Sequence, residues 1–125
     1  MYINTDLDLI SGSDIRELVG ALEQQGLFAL HVARREDGFW YASLETVEQY
    51  ASPEPNVAAI IDAVESLPDA HWQKWLACSS RELNIGYQCG RDGETRSHFV
   101  SSELLGRIAA VQATLAFTMY PVHPE

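Results

Sequence analysis

The sequence predicts an α+β fold, a two-layer sandwich of ferredoxin-like type in which helices pack on one face of a single mixed or antiparallel sheet. Two observations lead to this prediction. Apolar residues alternate with the period of a strand in five segments and recur with the period of a helix in four, in the order β-α-β-β-α-α-β-α-β. The 125 residues also contain no convincing repeat or linker, so we expect one domain over residues 1–125.

The first half of the chain indicates a strand, a helix and a hairpin. Residues 12–14 (GSD) offer an N-cap for the helix, and Gly26 supplies its stop. The Asp37-Gly38 pair lies between two apolar runs, which is a hairpin signal. The strand over residues 2–10 places Ile3, Thr5, Leu7 and Leu9 on one side and Asn4, Asp6 and Asp8 on the other.

The second half begins at a loop over residues 51–55, whose prolines suit the first turn of a helix. Five further elements follow this loop. They are a helix ending near Leu67, a short helix over 69–77, a strand over 82–89 with a turn over 90–96, a helix capped by Ser101 or Ser102, and a strand over 114–120.

Strand alternation also predicts which side chains face the helices. The inward sets are Phe28, Leu30 and Val32; Leu83, Ile85, Tyr87 and Cys89; and Leu115, Phe117 and Met119. The opposite face would then display Asn4, Asp6, Asp8, His31, Asn84, Gln88, Thr118 and Tyr120. Such a polar face is either an ordinary solvated surface or a docking surface or shallow ligand site, and the pattern leaves both open.

The charge of the chain is one-sided. The formal net charge is -10, and residues 1–70 hold 13 of the 18 acidic residues but only three arginines. Lys74 is the only lysine, so the clustered basic residues that nucleic-acid binding requires are missing and nucleic acid is disfavoured. An acidic half attracts a basic protein partner, although solubility alone is an equally good explanation of the charge.

The cysteines and histidines carry no recognisable catalytic or metal motif. Cys89 lies in an apolar register that favours a small buried hydrophobe over a nucleophile, and Cys78 is interpreted in the same way. The histidines, His31, His71, His98 and His123, lack the spacing of a zinc site. We therefore expect no catalytic residue, no metal and no cofactor.

Two groups of side chains have both a structural and a binding interpretation. Asp6 and Asp8 share one face of a strand, where they are either paired functional carboxylates or the acids of an exposed strand. Trp72 and Trp75, with Trp40 in the hairpin, are expected in the core rather than as interface anchors.

The N-terminus places acids where a signal peptide needs a basic region, and no apolar run approaches the ~20 residues that span a bilayer. We therefore expect an untargeted cytoplasmic protein that does not interact with a membrane.

The segments LNIGYQCG and SSELLGRIAAVQATLAFTMYP, within residues 82–121, resemble a pattern in small bacterial domains of unassigned function. In that pattern an IGY-like strand leads into a helix and a strand that ends in Tyr-Pro. Small acidic proteins of this kind resemble the immunity proteins of bacterial toxin systems, which neutralise a cognate toxin by binding it. The resemblance implies a non-catalytic binding protein and assigns no functional residue.

These observations together predict a cytoplasmic immunity protein that binds a basic toxin. The candidate contact residues are Asp6, Asp8, Asp14, Glu17, His31, Tyr41, Asn84, Gln88 and Tyr120. The alternative is a small enzyme or ligand-binding domain that uses His31, Asp6 and Cys89 in a cleft of the sheet face. A homo-oligomer joined through the polar sheet face is a third hypothesis.

Overall fold

The computed structural model describes residues 1–89 and 96–121, so the predicted turn at 90–96 lies almost entirely outside the described residues. The predicted order of elements is confirmed within them. The elements are β1 (Tyr2–Ser11), α1 (Arg16–Glu23), β2 (Leu27–Arg34), β3 (Trp40–Thr46), α2 (Pro53–Glu65), α3 (Asp69–Ala77), β4 (Ser80–Gln88), α4 (Ser102–Ala110) and β5 (Thr114–Tyr120).

The five strands form one mixed sheet in the order β2-β3-β1-β4-β5. β1 pairs antiparallel with both β3 and β4, and β3 pairs antiparallel with β2, so β3 lies between the parallel strands β1 and β2. The first four strands therefore make two interlocked split β-α-β units, the ferredoxin-like arrangement. The connection through α4 then adds β5 parallel to β4. The predicted α+β fold class is confirmed.

The four helices cover one face of this sheet and enclose a single core. Leu7, Leu44 and Leu83 extend from three neighbouring strands into the core and are fully buried. The helical side chains packed on this layer include Leu18, Leu22, Ile60, Ile61, Val64, Trp75, Leu104 and Ile108. Burial of large apolar side chains is the main stabilising term in such a two-layer fold. Among the residues that the structure describes, no helix packs on the opposite face of the sheet, which we call the open face.

Local sequence signals explain several element boundaries. Gly26 and Gly38 have φ values of 102° and 88°, in the left-handed region that glycine adopts without strain, and they end α1 and shape the β2–β3 hairpin. The Ser101 hydroxyl accepts a hydrogen bond from the Leu104 N–H at 3.1 Å, which confirms the predicted cap of α4.

A register shift in β1 corrects one predicted orientation. The pairing of β1 with β4 is irregular between Tyr2 and Asn4, so Tyr2 is buried and Ile3 is 49% exposed, contrary to the inward position predicted for Ile3. A bulge inserts one residue into a strand and reverses the faces of the residues beyond it, which simple alternation does not reveal.

A second register shift, between Ala29 and His31, corrects the prediction for β2. Phe28 pairs with Glu45 on the open face, and Leu30 is 52% exposed. Only Val32 of the predicted inward set packs against the core. The extra residue changes the phase of the strand, so one alternation cannot describe both of its halves.

The far edge of the sheet corrects two further inward predictions. Phe117 and Met119 share the face of the core but are 56% and 61% exposed, because the helices leave this part of β5 uncovered. Cys89 was predicted to be buried, yet it follows the last residue of β4 and its side chain is exposed. Cys78, by contrast, is buried as predicted.

A buried polar network connects α2 to the sheet. Asn56 is fully buried; its side-chain oxygen accepts hydrogen bonds from the Tyr2 hydroxyl at 2.6 Å and the Thr5 N–H at 3.2 Å. Its amide group donates to the Thr46 hydroxyl at 3.0 Å. One side chain thus satisfies polar groups on β1 and β3, as burial in an apolar core requires.

We expect Asn56→Ala to lower the free energy of unfolding by about 2–3 kcal/mol, because it removes the side-chain acceptor of the buried Thr5 N–H and one hydrogen-bond partner each of the Tyr2 and Thr46 hydroxyls. Urea denaturation followed by circular dichroism measures the change. Gln73→Ala is the control, since it removes an amide side chain from an exposed helical position. Equal stability of the two variants would show that the network contributes little.

Candidate functional site

The open face of the sheet assembles the predicted polar residues. On β1 and β4, Asp6 lies opposite Asn84, and Asp8 lies opposite Glu82. Gln88 and Tyr120 form a register pair at the end of β4 and β5. The strand pairing therefore places all eight predicted residues on one surface: Asn4, Asp6, Asp8, His31, Asn84, Gln88, Thr118 and Tyr120.

Four carboxylates from three neighbouring strands form the centre of this surface. They belong to Asp6, Asp8, Glu45 and Glu82, and we call them the acidic sheet face. Three of these carboxylates accept hydrogen bonds from neutral side chains. The Asn4 amide donates to Glu45 at 2.5 Å and to Asp6 at 3.4 Å, and the Ser43 hydroxyl donates to Asp8 at 2.8 Å. These donors orient the carboxylates without neutralising their charge.

The carboxyl group of Asp6 has a perturbed pKa. Partial burial raises its pKa from 3.8 to about 6, and the negative charges of Asp8 and Glu45 add to this increase. Both causes disfavour the ionised form, since burial removes water from the charge and neighbouring carboxylates repel it. A cation placed beside Asp6 would relieve this repulsion.

The raised pKa makes the contribution of Asp6 to stability depend on pH. Between about pH 4 and pH 6 the folded protein keeps a proton on Asp6 that the unfolded chain has released, so this carboxyl lowers the stability as the pH rises through that window. Solvent screens a partly exposed group, so we expect Asp6→Asn to raise the free energy of unfolding at pH 8 by about 1 kcal/mol. The gain should disappear below pH 4. Urea denaturation of both proteins at each pH tests this, and a gain independent of pH would contradict it.

Within the described part of the chain, two cavities along the open face are lined by the candidate residues. The larger, of about 330 Å³, extends from the acidic sheet face to the hairpin and is lined by Asp8, His31, Arg35, Tyr41, Ser43 and Glu82 among others. Arg35 lies 3.9 Å from the ring centroid of Tyr41, whose hydroxyl donates to Asp37 at 3.1 Å. That hydrogen bond favours the protonated hydroxyl and raises the pKa of Tyr41. The smaller cavity, of about 210 Å³, is lined by Ile3, Asn4, Asp6, Asn84, Gly86 and Tyr120.

Two of the predicted contact residues lie elsewhere. Asp14 precedes α1 and forms a salt bridge of 2.6 Å with Arg16, while Glu17 lies on α1 and forms one with Lys74 of α3. Each ion pair lowers the pKa of its carboxyl group. The structure thus places Asp14 and Glu17 in the helical layer, apart from the acidic sheet face.

The residues of the predicted catalytic alternative are also separated. Asp6 lines the smaller cavity, His31 lines the larger one, and Cys89 lies beyond the end of β4. Burial raises the pKa of the Cys78 thiol, which disfavours the reactive thiolate. Within residues 1–89 and 96–121, no group of three or more histidine, cysteine or acidic residues is placed to hold a metal ion. His123 lies outside the described residues.

Glu45, Glu82 and Ser43 belong to the open face but were not among the sequence candidates. The signal that identifies them is strand pairing, because each lies opposite an open-face residue of a neighbouring strand. That pairing depends on the strand order, which a single sequence does not reveal.

In the part of the chain that the structure describes, every helix is too short or too polar to cross a membrane. No family model, curated protein or solved structure matches this chain, so its likeness to immunity proteins stays a prediction.

Proposed function

We propose that this chain is a non-catalytic, cytoplasmic binding protein, an immunity protein that neutralises a basic bacterial toxin by holding it against the open face of the sheet. The observation that carries the proposal is the acidic sheet face, in which Asp6, Asp8, Glu45 and Glu82 meet on one uncovered surface. Complementary charge accelerates encounter with a basic partner and discriminates against acidic ones.

The distribution of salt bridges supports this surface over the helical layer. Three basic side chains, Arg16, Lys74 and Arg107, form salt bridges with acids in the helical layer. The carboxylates of Asp6, Asp8 and Glu45 instead accept hydrogen bonds from neutral side chains. The negative charge of these three carboxylates is therefore available to a partner, whereas much of that in the helical layer is already compensated.

The area of the open face also suits a protein partner. Five strands spaced about 4.8 Å apart, with about seven residues each at ~3.3 Å, cover roughly 550 Å². A stable complex buries about 800 Å² on each partner, so the open face can supply most of an interface. Small-molecule sites usually have volumes of about 300–1,000 Å³. The larger cavity, of about 330 Å³, is close to the lower end of this range, and the smaller one, of about 210 Å³, is below it.

The experiment compares three immobilised proteins as baits in an extract of the source cells. The first is the wild type, and the second carries Asp6→Asn, Asp8→Asn, Glu45→Gln and Glu82→Gln. The third carries the same change of charge at exposed sites away from the acidic sheet face: Glu36→Gln, Glu48→Gln, Asp69→Asn and Glu103→Gln.

We expect one basic protein to be captured by the wild type and by the control but lost from the sheet-face variant. Expressed alone, the captured protein should arrest cell growth, and co-expression of this chain should restore it. Equal capture by the second and third baits would contradict docking on the acidic sheet face. Capture of a harmless protein would contradict the immunity function.

The raised pKa of Asp6 beside a cavity favours a second candidate, a ligand-binding or acid–base site on the same face. In this case a small metabolite of the source cells should bind the purified protein, and Asp6→Asn should abolish that binding. Mass spectrometry of ligands retained from a cell extract tests it. Retention unchanged by Asp6→Asn counts against this candidate.

A further inference from the structure

Gly86 leaves an unfilled position at the centre of the open face. It lies on β4 opposite Asn4 of β1 and Thr118 of β5. A Cβ atom at this position would lie 3.4 Å from the Asn4 carbonyl oxygen and 3.4 Å from the Tyr120 ring. Unlike Gly26 and Gly38, Gly86 has no left-handed φ that would require glycine. Its lack of a side chain therefore matters for space rather than for backbone conformation.

The cavity above it, which we call the Gly86 slot, is bounded by Ile3, Asn4, Asp6, Asn84 and Tyr120. Two sides of the slot are formed by the apolar side chain of Ile3 and by the aromatic ring of Tyr120, which lies next to Gly86. Both residues are 49% exposed. The other end is polar and negative, with the Asp6 carboxylate opposite Asn84. The Thr118 hydroxyl fixes Asn84 by a hydrogen bond of 2.7 Å to its side-chain oxygen.

Resting on the function proposed above, we infer that the Gly86 slot receives a cationic side chain of the protein partner, an arginine with its guanidinium at Asp6 and its stem between Ile3 and Tyr120. The slot has the combination that arginine requires: a carboxylate for a charge-assisted hydrogen bond, an aromatic ring for stacking and an apolar wall for the methylene groups. Its volume of about 210 Å³ is below the usual range of about 300–1,000 Å³ for small-molecule pockets, which favours a single side chain. The position also explains how the repulsion of Asp6 by Asp8 and Glu45 would be relieved on binding.

The test uses capped arginine, N-acetyl-arginine amide, and the matching citrulline compound, which has nearly the same shape without the charge. Each is titrated into the ¹⁵N-labelled full chain and followed by NMR. We expect arginine to shift the amide signals of Gly86 and its neighbours, and citrulline to bind about tenfold more weakly. Gly86→Val, which fills the slot, should abolish the arginine shifts. Gln73→Ala, at an exposed position of α3, should leave them unchanged.

Equal binding of the two compounds, shifts elsewhere on the molecule, or unchanged binding by Gly86→Val would overturn the inference. If Gly86→Val does not fold, Gly86→Ala and the comparison of the two compounds on the wild type decide the question. Failure of the slot is distinguishable from failure of the proposed function. Suppose that a captured partner requires the acidic sheet face and still binds Gly86→Val or Gly86→Ala as tightly as the wild type. That result would support the docking surface and reject only the slot.

Discussion

Trp75→Ala is expected to lower the free energy of unfolding by about 3–5 kcal/mol, because Trp75 is the largest fully buried side chain among the described residues. Trp75 is fully buried, and its indole N–H donates to the Val111 carbonyl at 2.9 Å at the end of α4. Alanine would leave both a large cavity and an unpaired buried carbonyl, and each is destabilising. Urea denaturation measures the effect.

The surroundings of Trp75 explain why this loss should be cooperative. The Arg81 guanidinium donates to the carbonyls of Trp75 at 3.2 Å and Cys78 at 2.6 Å, and to that of Gln112 at 2.9 Å. It thereby joins the end of α3 to the turn after α4, and both segments depend on the position of the tryptophan. Trp75→Phe is the matched variant, because it keeps most of the side-chain volume while it removes the hydrogen bond to Val111. A cost of Trp75→Ala no greater than that of Trp75→Phe would contradict the packing argument.

The combined substitution Asp6→Lys and Asp8→Lys should weaken the affinity for the captured partner by about 100-fold, because it reverses the charge at the centre of the acidic sheet face. Part of the loss should lie in the association rate, which steering by charge raises most at low salt. For the wild type, the association rate should therefore fall steeply between low and physiological ionic strength. Surface plasmon resonance at several salt concentrations gives both rates.

The control for this pair is Asp69→Lys with Glu103→Lys, which changes the net charge equally at exposed helical sites. If the two double variants lose affinity equally, the partner senses only the overall charge of the chain. If neither loses affinity, electrostatic steering has no part in recognition. Circular dichroism of the wild type and of both double variants must show the same folded spectrum for the comparison to hold.

Local patterns were sufficient to predict the elements and their layers. Element boundaries were predictable where one residue defines them locally. Gly26 and Gly38 adopt a left-handed φ, and the Ser101 hydroxyl caps α4. Alternation correctly placed Leu7, Leu83 and the polar residues beside them, because β4 and the part of β1 that follows Asn4 are regular and central. Each of these features is a short-range property of the sequence.

The errors came from features that depend on distant residues. Bulges in β1 and β2 reversed Ile3 and Phe28, and such irregularities arise from pairing with a neighbouring strand. Phe117 and Met119 are exposed because of where the helices end, which alternation within β5 cannot report. Glu45 and Glu82 joined the candidate site only once the strand order placed them beside Asp6 and Asp8.

The most direct test of the central claim is NMR cross-saturation from the captured partner to the ²H,¹⁵N-labelled chain, which reports the amides that lie nearest to the partner. Docking on the acidic sheet face predicts transfer to residues of β1, β3 and β4, centred on Asp6, Asp8 and Asn84. The amides on the solvent side of α1 and α4 should remain unaffected. Saturation confined to the helical layer, or to the exposed edge at Phe117 and Met119, would contradict the account.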